Sequence, residues 1–191
     1  MEKIVVNLSC SDLFRITQVC SDLRNICLKE RLWKAKFARK NIPLPILPSL
    51  NWKDIVASIK VYQRCKKIHP QILEKINKKH DILYCGNLLD VPLLIFPKRL
   101  RANVLPFLHA SHKAKEEEEE KCKEIASRWS HNVFDLLGTD FILWFSLSLM
   151  LDGTLFIKRN TNTTIVCFTE QLSREEVELF LLHLILTNGP V

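Results

Sequence analysis

The sequence predicts a mostly helical α+β protein, and three observations carry that prediction. Apolar residues recur at three- and four-residue steps through most of residues 11–137. Strand-like segments gather only after Gly138, around a strong Asp152-Gly153 turn signal. A Ser173-Arg-Glu-Glu176 capping box then opens one last apolar helix. The chain has 191 residues, 47% of them hydrophobic, which is enough to bury a core and excludes a disordered protein. Four glycines argue against a Gly-rich sandwich. No apolar run reaches the roughly 18 residues of a membrane span.

Taken in order, Ile4, Val5, Val6 and Leu8 form an apolar run too short to classify by period. Ser9 and Ser11 offer N-caps, with Asp12 in the first turn where the helix dipole favours an anion. Leu13, Ile16, Val19, Cys20, Leu23, Ile26 and Cys27 then read as one helical face. A second helix, about Lys29–Lys40, buries Leu32, Trp33 and Phe37. The prolines at 43, 45 and 48 stop it and predict an extended linker over 41–50.

Asn51 caps a third helix through Trp52, Ile55, Val56, Ile59 and Tyr62, running to about Lys67, and Pro70 starts a further short one. Asp81–Phe96 is apolar but interrupted by Gly86 and Pro92, and belongs to no single element. Lys98–His109 predicts a helix strained or ended near Pro106, and Lys113–Leu137 another, closed by Gly138. A meander of two or three strands follows, drawn from Phe141–Met150, Leu155–Ile157 and Thr164–Phe168. The last helix, Val177–Leu186, is apolar nearly all round and must be buried or docked.

The formal charge of +7 is uneven. Residues 1–67 hold 14 Lys/Arg against 5 Asp/Glu, and residues 68–191 hold 14 against 16. Nucleic-acid binding is one explanation of such an excess. The alternation of Arg31, Lys34, Lys36, Arg39 and Lys40 with apolar residues instead fits the solvated face of an amphipathic helix. The run Glu116–Glu120 with its flanking lysines reads the same way, as i,i+4 pairs on a wet helix.

Seven scattered cysteines, never spaced Cys-x-x-Cys, predict reduced thiols used as small hydrophobes and no zinc site. No phosphate-cradling glycine loop, nucleophile elbow or His-Glu-x-x-His occurs. His183 on the last helix reads as a satisfied core histidine. No cofactor and no catalytic residue is expected, and a poor signal-peptide pattern points to the cytoplasm or nucleus.

The ordering within Leu8–Lys40 narrows this further: Leu8-Ser9, then Asp12-Leu13, then a stripe ending in Val19-Cys20, then Leu32-Trp33. That ordering resembles an F-box, the three-helix module by which ubiquitin-ligase receptors hold the adaptor Skp1. The resemblance covers about residues 1–40 and is of the F-box-only type. The family opens with Leu-Pro and a full first helix, and Met1 falls where the middle of that helix stands, so the module looks shortened. Trp52-Lys-Asp-Ile with Tyr62-Gln63 is also similar to what often follows the Leu-Trp helix. The resemblance implies a non-catalytic substrate receptor that reaches a cullin through its adaptor. Leu8, Leu13, Ile16, Val19, Cys20, Leu32 and Trp33 would form or support the adaptor surface. It also implies an organisation of F-box-like module 1–40, linker 41–50 and a substrate-binding α+β domain 51–191. The alternatives are a scaffold protein with a degenerate module, or a basic nucleic-acid binder.

Overall fold

Along the described residues (2–46, 51–78, 81–128, 144–160 and 164–187) of the computed structural model, the element order is mixed but mainly helical. The elements are α1 (Glu2–Val5), α2 (Cys10–Val19), α3 (Ser21–Cys27), α4 (Glu30–Arg39), α5 (Ile55–Asn77), β1 (Ile82–Asn87), α6 (Lys98–Arg128), β2 (Trp144–Met150), β3 (Thr154–Asn160), β4 (Thr164–Gln171) and α7 (Arg174–Thr187). They fall into two compact units, Met1–Lys78 with Glu175–Val191, and Lys79–Arg174. The division expected at 41–50 therefore lies inside the first unit. Ile42 and Pro45 are buried there, and the Ile46 N–H donates to His183 Nε2 at 2.7 Å. Residues 41–46 are docked there, carrying apolar side chains and an amide that needs a partner, and residues 47–50 of the expected linker lie outside the described residues.

In the first unit the predicted continuous helix over 11–27 is two helices. Cys20 is extended (φ −133°, ψ 118°), which ends α2 and starts α3. The break leaves the Thr17 carbonyl without an amide donor from its own helix, and Arg24 Nε supplies one at 2.6 Å. Ser9 is the cap of α2, accepting from the Asp12 N–H and donating to Asp12 Oδ2 at 2.6 Å. Trp33 Nε1 donates to the Cys27 carbonyl at 3.0 Å, satisfying the last residue of α3 from the next helix. Helix α4 closes with Asn41 at φ 51°, Ile42 N bonded to Phe37 O and Asn41 N to Ala38 O, a Schellman end with Asn in the glycine position.

Helix α5 begins one cap later than expected, on Asp54, whose Oδ1 accepts from Val56 N and Ala57 N. Trp52 lies before the helix and stacks on Trp33, ring centroids 6.1 Å apart. The expected break at Pro70 is absent, since α5 runs on to Asn77. Pro70 and Lys66 are both exposed, so the carbonyl that the proline leaves unbonded faces water while Cys65, Ile68, His69 and Ile72 hold the other face. Helix α7 is buried through Val177, Phe180, Leu181, Leu182, His183 and Leu184. Arg64 Nη2 reaches the Ile185 carbonyl at 3.1 Å, and His69 Nε2 lies 3.3 Å from Glu178 Oε2.

The second unit is a four-stranded antiparallel meander, β1-β2-β3-β4, with α6 against it. The strand β1 belongs to the segment that sequence left unassigned, and it pairs Gly86 with Leu147 and Asn87 with Ser146. Alternation along β2 buries Phe145, Leu147 and Leu149, and β3 adds Leu155 and Ile157. Phe107 of α6 meets Phe145 and Phe168 at 5.7 and 6.1 Å between ring centroids. The expected helix end near Pro106 is also absent, because Ala102 and Pro106 face water while Val104 and Leu108 are buried. Lys113 and Lys115 pair with Glu117 and Glu119 on the exposed part of α6, as predicted. Gly138 and the apolar positions of 129–137 lie outside the described residues.

Candidate binding surface and basic cleft

Along helix α2 the row Leu13, Ile16, Val19 turns from core to solvent. Each step of three residues turns back about 60° on a helix of 3.6 residues per turn. Leu13, Ile16 and Val19 are such steps, so Leu13 is 0% exposed, Ile16 half-buried and Val19 85% exposed. The inner face is completed not by Val19 but by Thr17, four residues after Leu13, whose hydroxyl donates to the Phe14 carbonyl at 2.7 Å. Ile4 and Phe14 join Val19 as exposed apolar side chains, at 67% and 41%.

The seven residues predicted to form or support a partner surface therefore separate into two groups. Leu13, Leu32 and Trp33 are buried, and a partner cannot touch them unless the core opens. Of the two roles expected, contact or support, burial leaves these three only support: Trp33 stands between α3, Trp52 and Tyr62, and Leu32 and Leu13 are buried. Val19 is presented to solvent, Ile16 and Cys20 are half-buried, and Leu8, also half-buried, lies before the opposite end of α2.

Lys36 was expected among the solvated charges of α4, and the structure corrects this. Its side chain is 5% exposed. The Nζ donates to the Val6 and Leu8 carbonyls at 3.1 and 2.8 Å and sits 5.4 Å from the Tyr62 ring centre. Two carbonyls and one aromatic face account for the three N–H donors of an ammonium. Burial holds this ammonium below lysine's ordinary range, and Arg39 and Lys40 press the same way, with the Cys10 and Cys27 thiols opposing. The position was readable: Leu32, Trp33, Lys36 and Phe37 share one helical face.

Beside Lys36 opens a cleft of about 470 Å³ between the 6–11 connection, α4 and α5. Arg39, Lys40 and Lys66 line it with Lys36, and among the described residues no carboxylate does. Burial pushes the Cys10 thiol in its wall up, against the opposing pull of Lys36 and Lys66. Sequence reasoning missed this cleft because Lys66 comes from a helix 26 positions after Lys40, and only the packing of α5 joins them.

Among the described residues no group of three His, Cys, Asp or Glu side chains could hold a metal ion. No described helix is long and apolar enough to cross a membrane. His183 is 2% exposed and its Nε2 accepts the Ile46 amide. The chain matches no family model, no curated protein and no solved structure.

Proposed function

We propose that the chain is the substrate-recognition subunit of a Skp1-cullin-F-box type ubiquitin ligase. In this reading α1–α4 hold a Skp1-type adaptor and residues beyond them hold a target protein. The observation that carries it is the coincidence of an F-box-like residue order with four short helices that present Val19, Phe14 and Ile4 to solvent on α1 and α2. Exposed apolar anchors of this kind are what a protein interface needs at its centre, with charges at its rim. The protein carries out no chemistry itself. It raises the concentration of a target lysine near the charged ligase machinery.

Burial of Leu13, Leu32 and Trp33 favours a second reading, a scaffold protein in which the same helices serve packing alone. Co-purification of a Skp1-type adaptor with the full chain separates the two. The unmutated chain is expected to retain the adaptor and the Val19→Asp chain to lose it. Val19 is solvent-facing, so this change is expected to alter stability by only about 0.5 kcal/mol or less. Absence of adaptor from the unmutated chain removes the ligase reading. Leu13→Asp is no substitute, because it would place a charge in the core.

A further inference from the structure

The cleft beside Lys36 concentrates positive charge that the protein leaves uncompensated. Among the described residues none of Arg39, Lys40 and Lys66 pairs with a carboxylate, and each is exposed at the cleft wall. The Schellman end of α4 fixes the backbone that carries Arg39 and Lys40. Lys36 is held rigidly at the back by the Val6 and Leu8 carbonyls. The first turn of α2, a helix of ten residues, contributes the Ser11 side of the same wall, where amide N–H groups and the helix dipole favour an anion. Asp12 stands in that turn, takes the Ser9 hydroxyl and does not line the cleft.

Holding four cations in one concavity costs mutual repulsion, and Arg39 and Lys40 already act on Lys36 in that sense. A ligand of concentrated negative charge relieves it. The cleft, about 470 Å³, has room for a phosphate-sized anion together with several waters. A single-stranded nucleic acid would need an open aromatic platform. The aromatic side chain of the cleft, Tyr62, is buried and its ring faces Lys36.

We propose that this cleft binds a compact phosphate-type dianion, free or carried on a phosphorylated side chain, between Arg39, Lys40, Lys66 and the first turn of α2. The site stands independently of the adaptor reading, and its test contains no adaptor. Calorimetric titration of the full chain at fixed ionic strength uses inorganic phosphate, a neutral peptide bearing one phosphoserine, and the same peptide unphosphorylated. Both phosphate probes are expected to bind and the unphosphorylated peptide is not. Tighter binding of the phosphopeptide assigns the natural source to a protein, and equal or weaker binding assigns it to a free phosphate.

Arg39→Gln/Lys66→Gln is expected to weaken phosphate binding about tenfold, as loss of two directed charges does. Lys113→Gln/Lys115→Gln removes the same charge from exposed α6 and is expected to change it less than about twofold. Lys40→Gln alone, expected to weaken binding about threefold, serves if the double variant does not fold. No binding by the unmutated chain overturns the proposal. Equal weakening by both double variants also overturns it, since a general field would then be responsible.

Discussion

The ammonium of Lys36 donates a 2.8 Å hydrogen bond to the carbonyl oxygen of Leu8, 28 residues earlier in the chain. A cation on α4 thereby finishes the connection between α1 and α2, where the backbone has left helical pairing and cannot satisfy itself. The same contact sets the back wall of the basic cleft and fixes the start of α2.

Replacing Lys36 by Met keeps most of the buried stem but leaves the Val6 and Leu8 carbonyls without their donor. Hydrogen bonds to charged groups contribute about 1.5–3 kcal/mol each, so loss of both, offset in part because no ammonium is then desolvated, is expected to make Lys36→Met cost about 2–4 kcal/mol in urea unfolding. Lys34→Met, which removes an exposed i,i+4 pair with Glu30, is expected to cost about 0.5 kcal/mol or less. Equal midpoints for the two variants would show that the buried ammonium contributes no more than its exposed neighbour.

Alkaline stability should report on Cys65. Burial pushes this thiol up to about 12 from an ordinary value of 9.0. Above pH 9 the unfolded chain loses this proton while the folded chain keeps it, so the unfolded state binds fewer protons and stability falls as pH rises. The contribution is complete below pH 9 and is lost progressively as pH rises towards 12. The raised values of Cys10, Cys27 and Tyr62 act in the same direction, and the lowered value of Lys36 opposes them. Denaturant midpoints taken between pH 8 and 11 are expected to fall less steeply for Cys65→Ala than for the unmutated chain. Parallel slopes would remove Cys65 from the account.

The turn between β2 and β3 should tolerate no side chain at Gly153. Its φ is +89°, and a Cβ there would stand 2.5 Å from the Leu172 carbonyl oxygen. Gly153 O also accepts from Leu172 N at 2.9 Å, and Gln171 Nε2 donates to Asp152 O, so the turn is tied to the end of β4. Gly153→Ala is expected to destabilise by about 2 kcal/mol through backbone strain and displacement of that strand. Asp152→Asn, which leaves the backbone free of strain, is the comparison, and a thermal midpoint for Gly153→Ala at or above it refutes the strain.

Local chemistry was legible wherever neighbours in sequence are neighbours in space. Ser9 caps α2, Leu32, Trp33 and Phe37 face inward, Asp152-Gly153 makes the hairpin, and the last helix is buried. Misreadings arose where a distant segment decides. Pro70 and Pro106 do not end their helices because their freed carbonyls are on the wet side, a fact set by which face packs. The strand β1 is recruited by β2, more than 50 residues later, and its own alternation is weak. Of the predicted surface, Val19 is presented and Leu13 is not, because a three-residue repeat drifts round the helix while a four-residue one holds its face.

Helix α7 shares a unit with α1–α5, so the polypeptide from Lys79 to Arg174 is spliced between two parts of one core. During synthesis α1–α5 emerge first, yet Phe180, Leu181 and Leu182 arrive just over a hundred residues after Asn77. At roughly 5–20 residues per second, Arg64 and His69 of α5 wait several seconds on the ribosome for their α7 partners, Ile185 and Glu178. That interval is long against helix formation and hydrophobic collapse, which take microseconds. The nascent N-terminal helices are thus a half-built core that must avoid other hydrophobic surfaces until its closing piece is made.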